Sequence, residues 1–324
     1  MFSAQSAVVI ERMPKKIEDR LEQLRQVRTS APAEAEATLQ KALSDRSNLL
    51  VAEGAKLCVE LRLLSLIPHL LAALSRFYED PVKTDPRCRA KAAIVRALTA
   101  LDYSESPAFL RAAAHVQMEP VYGGQEDSAP HLRASAVLAL VQCDDLPRSE
   151  ILRHLVDAVA DSSETVRIEA VRSLHQMNGD EGIVVLRLKA HTGDERPAVI
   201  GQVFDSLLSL ERERAVGFIA RFLDSANADI RDEAALSLGA SRLPAAVEVL
   251  IARWKDTRNR DLAPVLLRAL SSSREESALE FLIGLVRNGI DRDATAALEA
   301  LALHADSPEI QSRIEKARRD RANR

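Results

Sequence analysis

The chain of 324 residues carries 44 Lys and Arg against 48 Asp and Glu, a formal net charge of −4; 47% of it is apolar, yet aromatic residues supply only 3%. Mixed charges near neutrality exclude an intrinsically disordered chain and give no whole-molecule reason to bind polyanions. Ala, Leu, Val and Ile must then supply the core, and with only 11 Gly and 13 Pro the composition predicts closely packed helices.

In chain order, segment 1–32 opens with the apolar run Ala7 to Ile10, which Glu11 and Arg12 end at a length too short for a signal-peptide core or a membrane span. A capping helix is expected over about Pro14 to Val27. Beyond it the pattern DSSETVRIEAVRSL, Asp161 to Leu174, keeps returning. Copies read DPRCRAKAAIVRAL from Asp85, DSAPHLRASAVLAL from Asp127, DERPAVIGQVFDSL from Asp194 and DSANADIRDEAALSL from Asp224, with weaker ones ending at Cys58, Leu270 and Leu301. The small or aliphatic residue four before each end is Gly54, Ile94, Ala136, Ala170, Val203, Ala234, Leu266 and Ala297. Their spacings of 40, 42, 34, 33, 31, 32 and 31 residues match helical-hairpin arrays.

Each copy follows an amphipathic stretch with apolar residues at i, i+3, i+4 and i+7, such as EILRHLVDAVAD ending at Asp161. Pro68, Pro107, Pro147 and Pro244 fall near the starts of these stretches, where the missing N–H costs little. The repeats are expected at 33–64, 65–103, 104–145, 146–178, 179–210, 211–242, 243–273 and 274–304. A C-terminal capping helix near Pro308 to Arg319 and a basic tail fill 305–324. No segment sustains a two-residue alternation between hairpin turns, so negligible strand is expected.

The apolar first helix, the turn Asp, the pair Val166 and Arg167, and Ala170 with Leu174 resemble the HEAT and HEAT-like repeats, including the type in phycobiliprotein lyase subunits, over about residues 33 to 304. The resemblance implies an all-α, right-handed α-solenoid of about eight hairpins, with first helices convex and second helices lining a concave groove. Physics reaches the stacking alone, though not the handedness: a two-helix unit cannot bury both apolar stripes, so neighbours must cover them.

Asp161 with Arg167, Asp127 with Arg133, and Asp85 with Lys91 stand six residues apart and recur, and Arg231 keeps the basic position. Recurrence marks them as a structural ladder that holds repeat register through charge-assisted hydrogen bonds, not as catalytic pairs. None of the seven histidines is followed by Glu, whereas helical-repeat enzymes resembling deoxyhypusine hydroxylase hold iron with His-Glu pairs. The sequence has no Cys-x-x-Cys, His-Glu-x-x-His, phosphate-binding glycine loop or Gly-x-Ser-x-Gly. No catalytic residue, metal or cofactor is therefore expected. Cys58, Cys88 and Cys143 have no paired spacing and read as reduced cysteines of a cytoplasmic protein.

Repeats two and three carry the insertions YEDPVKTD, from Tyr78, and MEPVYGGQED, from Met118, which stacking places side by side with two of the three tyrosines, Tyr78 and Tyr122. Paired loops with aromatic residues mark contact surfaces. The projected groove adds Glu169, Arg172, His175, Asp205, Asp232 and Glu233, mixed to acidic, a poor fit to the phosphates that proteins resembling helical-repeat DNA glycosylases would grip. The leading reading is a non-enzymatic scaffold that binds a protein or peptide through its groove and inserted loops, with no membrane contact. A subunit of a phycobilin-lyase-like enzyme is the alternative, and a nucleic-acid-binding repeat protein the second.

Overall fold

The computed structural model describes residues 15–256 and 261–323. Residues 1–14, with the Ala7–Ile10 run and the expected helix start at Pro14, lie outside the described residues, as do 257–260 and Arg324. Among the described residues, nineteen α-helices and five short 3-10 helices together make up 78% of the structure, so the fold is an all-α helical repeat. The chain forms two compact units, residues 1–151 and 152–324.

The first unit contains α1 (Lys15–Arg25), α2 (Pro32–Leu43), α3 (Asn48–Glu60), α4 (Ile67–Arg76), the one-turn α5 (Pro81–Thr84), α6 (Arg89–Ala100), α7 (Ser106–Ala113) and α8 (Pro130–Leu140). Pro32, Pro68, Pro81, Pro107 and Pro130 stand at the first or second position of their helices, where no intrahelical N–H bond is lost. Helix α3 packs on α1 and α6, and α6 on α8, while α2 packs on α4. Two layers result, sealed by Leu39, Leu57, Leu70, Ile94, Leu98 and Leu140, all without solvent exposure. Burying each such Leu contributes about 2 kcal/mol.

Strand occurs in the second insertion, where only a loop is expected. Strands β1 (Met118–Val121) and β2 (Gly124–Asp127) pair antiparallel in the register Met118 with Asp127 and Val121 with Gly124. Tyr122 and Gly123 make the turn, with Gly123 at φ +90°, a conformation glycine adopts without steric cost. Apolar alternation misses this hairpin because neither strand buries a face: the residues are exposed or half-exposed throughout. The first insertion also folds, into α5, and the turn Pro86–Cys88 follows it.

Helix α9 (Arg148–Val159) spans the boundary between the units. The second unit continues with α10 (Glu164–Met177), α11 (Asp180–Thr192), α12 (Pro197–Glu211), α13 (Glu213–Ala220), α14 (Ala228–Ala240), α15 (Pro244–Asp256), α16 (Leu262–Ser273), α17 (Glu276–Asn288), α18 (Asp291–Leu301) and α19 (Pro308–Ala322). Helices α10, α12, α14, α16 and α18 stack in one layer, and α13, α15, α17 and α19 in the other. Small residues set the closest approach: a Cβ on Gly239 of α14 would stand 2.2 Å from the Ala269 carbonyl oxygen of α16. Phe204, Phe218 and Phe222 gather three rings in one cluster, with centroids 4.8 Å apart for Phe204 and Phe222 and 5.6 Å for Phe218 and Phe222.

Candidate functional site

In the first unit the two insertions meet over a buried polar network. Asp85 and Lys91 have no solvent exposure and lie 3.2 Å apart. The Asp85 carboxylate accepts the backbone N–H groups of Ala90 at 2.9 Å and Lys91 at 3.0 Å, closing the first turn of α6, and the Asn48 amide at 3.0 Å. The Lys91 ammonium donates to the Phe77 carbonyl at 3.2 Å and to Gln117 Oε1 at 2.9 Å. Gln117 returns its amide to the Asp85 carbonyl at 2.9 Å and to Glu119 Oε1 at 2.7 Å. Glu119, on β1, accepts the Arg87 backbone N–H at 2.6 Å, so the second insertion touches the turn that follows the first. Burial would raise the Glu119 carboxyl, but hydrogen bonds from Ser128, Arg87 and Gln117 outweigh it and hold it below the usual range.

Of the two insertion tyrosines, Tyr78 turns inward. The Arg111 guanidinium lies 4.0 Å from its ring centroid, His115 packs edge-on at 5.0 Å, and its hydroxyl is buried with no hydrogen-bond partner. Burial raises its pKa, as it does that of the Cys88 thiol, pushed up to about 11; neither group is poised to react. Tyr122 at the hairpin turn is fully exposed, and Val116, Met118 and Val121 around it are exposed at 59%, 45% and 45%. Sequence reasoning gives both tyrosines the same weight because it reads a loop where the chain returns one ring to the core.

A groove of about 710 Å³ opens along the helix faces of this unit, lined mainly by α3 and α6 with Leu21 and Arg25 of α1 and His131 of α8 at its edges. On α3, Leu49, Ala52 and Val59 share the lining with Glu53, Lys56 and Glu60. Both carboxylates are neutralised from outside α3: Arg25 lies 2.9 Å from Glu53 and Arg28 2.7 Å from Glu60. These bonds hold the Glu60 carboxyl below its usual range.

Arg133 lies 2.6 Å from Asp127 in a turn-to-helix pair. In the second unit, Arg167 donates to the Asp161 carbonyl at 2.9 Å and forks onto both Asp194 oxygens at 2.8 Å, one hairpin later. Lys189 approaches Asp194 at 2.8 Å. Burial would raise the Asp194 carboxyl, but Arg167, Lys189 and the Arg196 amide together hold it at about 2. The partner Asp194 escapes a pattern read within one copy, because it is the turn Asp of the next. Arg231 donates to the Ser225 and Ala226 carbonyls, and its Nε is buried without a partner.

Among the projected groove residues, Arg172 bridges Glu169 at 2.7 Å and Gln202 at 2.9 Å, and the His175 ring lies 3.0 Å from the Ser209 hydroxyl. These bonds tie α10 to α12. Asp205 and Glu233 form a like-charged pair across α12 and α14. Burial raises both carboxyls; Ser237 offsets part of the effect at Asp205, while Asp205 and Asp232 add to it at Glu233. Asp232 is raised by burial as well, against Arg231 and Arg268. Among the described residues, no three His, Cys, Asp or Glu side chains converge to hold a metal ion, and no helix is long and apolar enough to cross a membrane.

No protein-family profile matches the chain, and no curated protein matches it. Among solved structures it is similar to human deoxyhypusine hydroxylase in complex with glycerol, at 21% identity over 80% of this chain and 91% of that chain, with a TM-score of 0.32. A likeness at that TM-score carries no argument about function.

Lys91→Met removes the cation from a fully buried carboxylate, and the uncompensated charge should lower stability by about 3 to 5 kcal/mol, read as a lower midpoint of urea unfolding. The Asp194 carboxyl has a folded-state pKa of about 2, below its ordinary 3.8. Its contribution is therefore complete above about pH 4 and is lost as pH falls through 2. Asp194→Asn should cost about 1 to 2 kcal/mol at pH 7, after allowance for screening. Between pH 4 and 2 its stability should fall less steeply than that of the wild type in acid titrations followed by circular dichroism.

Proposed function

We propose that the chain is a non-enzymatic scaffold of the cytoplasm that binds a protein or peptide. In this reading the hairpins form one right-handed solenoid: α2 with α3, α4 with α6, and each later pair through α17 with α18, eight in all, capped by α1 and α19. The layering inside each unit supports the array. The three cysteines, buried and unbridged, support a reducing compartment.

The observation that carries the binding reading is the groove of about 710 Å³ on the α3 and α6 faces, a size common to ligand-binding clefts. The hairpin adds a second contact: Tyr122, with exposed Val116, Met118 and Val121 around it, is a ready aromatic anchor with an apolar surround. Glu169, Arg172, His175, Asp205, Asp232 and Glu233 are the proposed polar contacts of the second unit. Nothing in the geometry favours tetrapyrrole handling.

Two experiments test the reading. A compact globule of this length has a radius of gyration of about 20 Å; small-angle scattering should return a clearly larger value, and one near 20 Å removes the solenoid. For binding, a partner purified by affinity capture is titrated against the wild type and two variants. Tyr122→Ala should weaken it at least about tenfold, roughly 1.4 kcal/mol, with no change in melting temperature. Tyr78→Ala should instead cost about 2 to 3 kcal/mol of stability, because its ring is packed. Undiminished affinity in Tyr122→Ala takes the hairpin out of the interface.

A further inference from the structure

Helix α6 presents a single stripe to the groove. Arg89, Ala92, Ala93, Arg96 and Ala100 line it, at the i, i+3, i+4, i+7 and i+11 positions that share one helix face. The two arginines are exposed. Among the described residues, neither guanidinium forms an ion pair or a hydrogen bond. Their neighbours across the groove offer no relief, since Glu53 and Glu60 already pair with Arg25 and Arg28. Two turns of helix separate the arginines, about 10.5 Å along the axis. Between them Ala92 and Ala93 reach no further than Cβ, so the floor leaves room for larger aliphatic side chains from outside.

We propose that this groove receives an amphipathic helix of a partner protein, with aliphatic side chains seated on the alanine floor and two Asp or Glu residues, about seven apart, paired with Arg89 and Arg96. The inference rests on the scaffold reading above and names the chemistry of its ligand. An unpaired guanidinium matches a carboxylate in a planar, two-point contact. An apolar stripe beside charge is what helix-in-groove recognition uses. A single-stranded nucleic acid fits less well. No Phe, Tyr or Trp lines the groove to stack a base, His131 at its edge being the one ring in the lining, and two carboxylates share that lining.

The test uses the full chain and a displayed library of random sixteen-residue peptides. Peptides enriched on the wild type should carry paired acidic residues among Leu, Ile or Met. By fluorescence anisotropy, the tightest of them should bind R89E/R96E at least about tenfold more weakly, with unchanged melting temperature because both side chains are exposed and unpaired. The same library selected on R89E/R96E should enrich basic peptides. A second variant, Ala100→Trp, places an indole in the groove from an exposed position and should weaken the acidic peptide by a similar factor. Enriched peptides that bind all three proteins equally, or that lack acidic residues, overturn the groove assignment and leave the scaffold reading standing. No enrichment on any of them overturns both. Loss of a mixed-sequence DNA oligonucleotide in R89E/R96E, without peptide enrichment, reassigns the groove to nucleic acid.

Discussion

The buried pair of Asp85 and Lys91 fixes the part of the fold on which the groove depends. An ammonium group has three N–H donors, and here three acceptors meet it: Asp85 at the start of α6, the Phe77 carbonyl after α4, and Gln117 before β1. One side chain thus ties the end of a first helix, the start of a second helix and the root of the hairpin. A buried ion pair need not be more stabilising than apolar residues of equal volume. Its consequence is placement, because any other arrangement of the insertions leaves a charge in the core unpaired. The neighbouring turn shows the same over-determination: Arg87 and Cys88 both sit at positive φ, 63° and 51°, a strain of about 1 to 3 kcal/mol each. Asp85 holds that turn closed by accepting the N–H groups of Ala90 and Lys91, and so sets where Arg89 enters the groove.

Register is kept by different means along the chain. In the first unit the charged partners stand in one turn and its own helix, as Arg133 does with Asp127. Arg167 reaches instead to Asp194 of the following hairpin, which fixes two neighbours against each other. Later hairpins are joined by ion pairs such as Arg313 with Glu276, and also by side chain–backbone bonds and close backbone packing. Ser271 donates to the Ala300 carbonyl at 2.7 Å, and α14 approaches α16 where Gly239 carries no Cβ. Such contacts need small residues rather than charge, and they hold neighbouring hairpins where Ile200, Ala263 and Ala294 stand at the position that is basic in other copies.

Recurrence made the helical array readable from the chain, since a period in Ala and Leu survives even where the charged positions change. Partners outside one copy were not readable. Asp194 pairs with Arg167 across 27 residues, Asn48 reaches Asp85 across 37, and Gln117 belongs to no repeat position. The hairpin escaped because its strands bury neither face, and the inward turn of Tyr78 escaped because its packing partners Arg111 and His115 come from the next repeat. For the groove, the helical positions were readable but the pairing was not. Arg96 projects outward on any helical wheel, yet only the structure shows that Glu53 and Glu60 are taken by Arg25 and Arg28.

That difference between paired and unpaired charge bears on what near-zero net charge means here. A chain at −4 has no strong overall field, so selectivity must come from local imbalance. Among the described residues, local imbalances of both signs occur. In the first unit, Arg89 and Arg96 face an opening whose two carboxylates, Glu53 and Glu60, are already paired with Arg25 and Arg28. In the second, Asp205 and Glu233 crowd each other, and both carboxyls are raised from their ordinary values. The positive site favours an anion from outside because satisfying it inside would require Glu53 or Glu60 to abandon a formed pair. The negative site needs no ligand to relieve it, since a carboxyl with a raised pKa can take up a proton instead. Guanidinium has no such route at accessible pH. The unpaired arginines therefore carry the argument for a ligand, and the acidic pair does not.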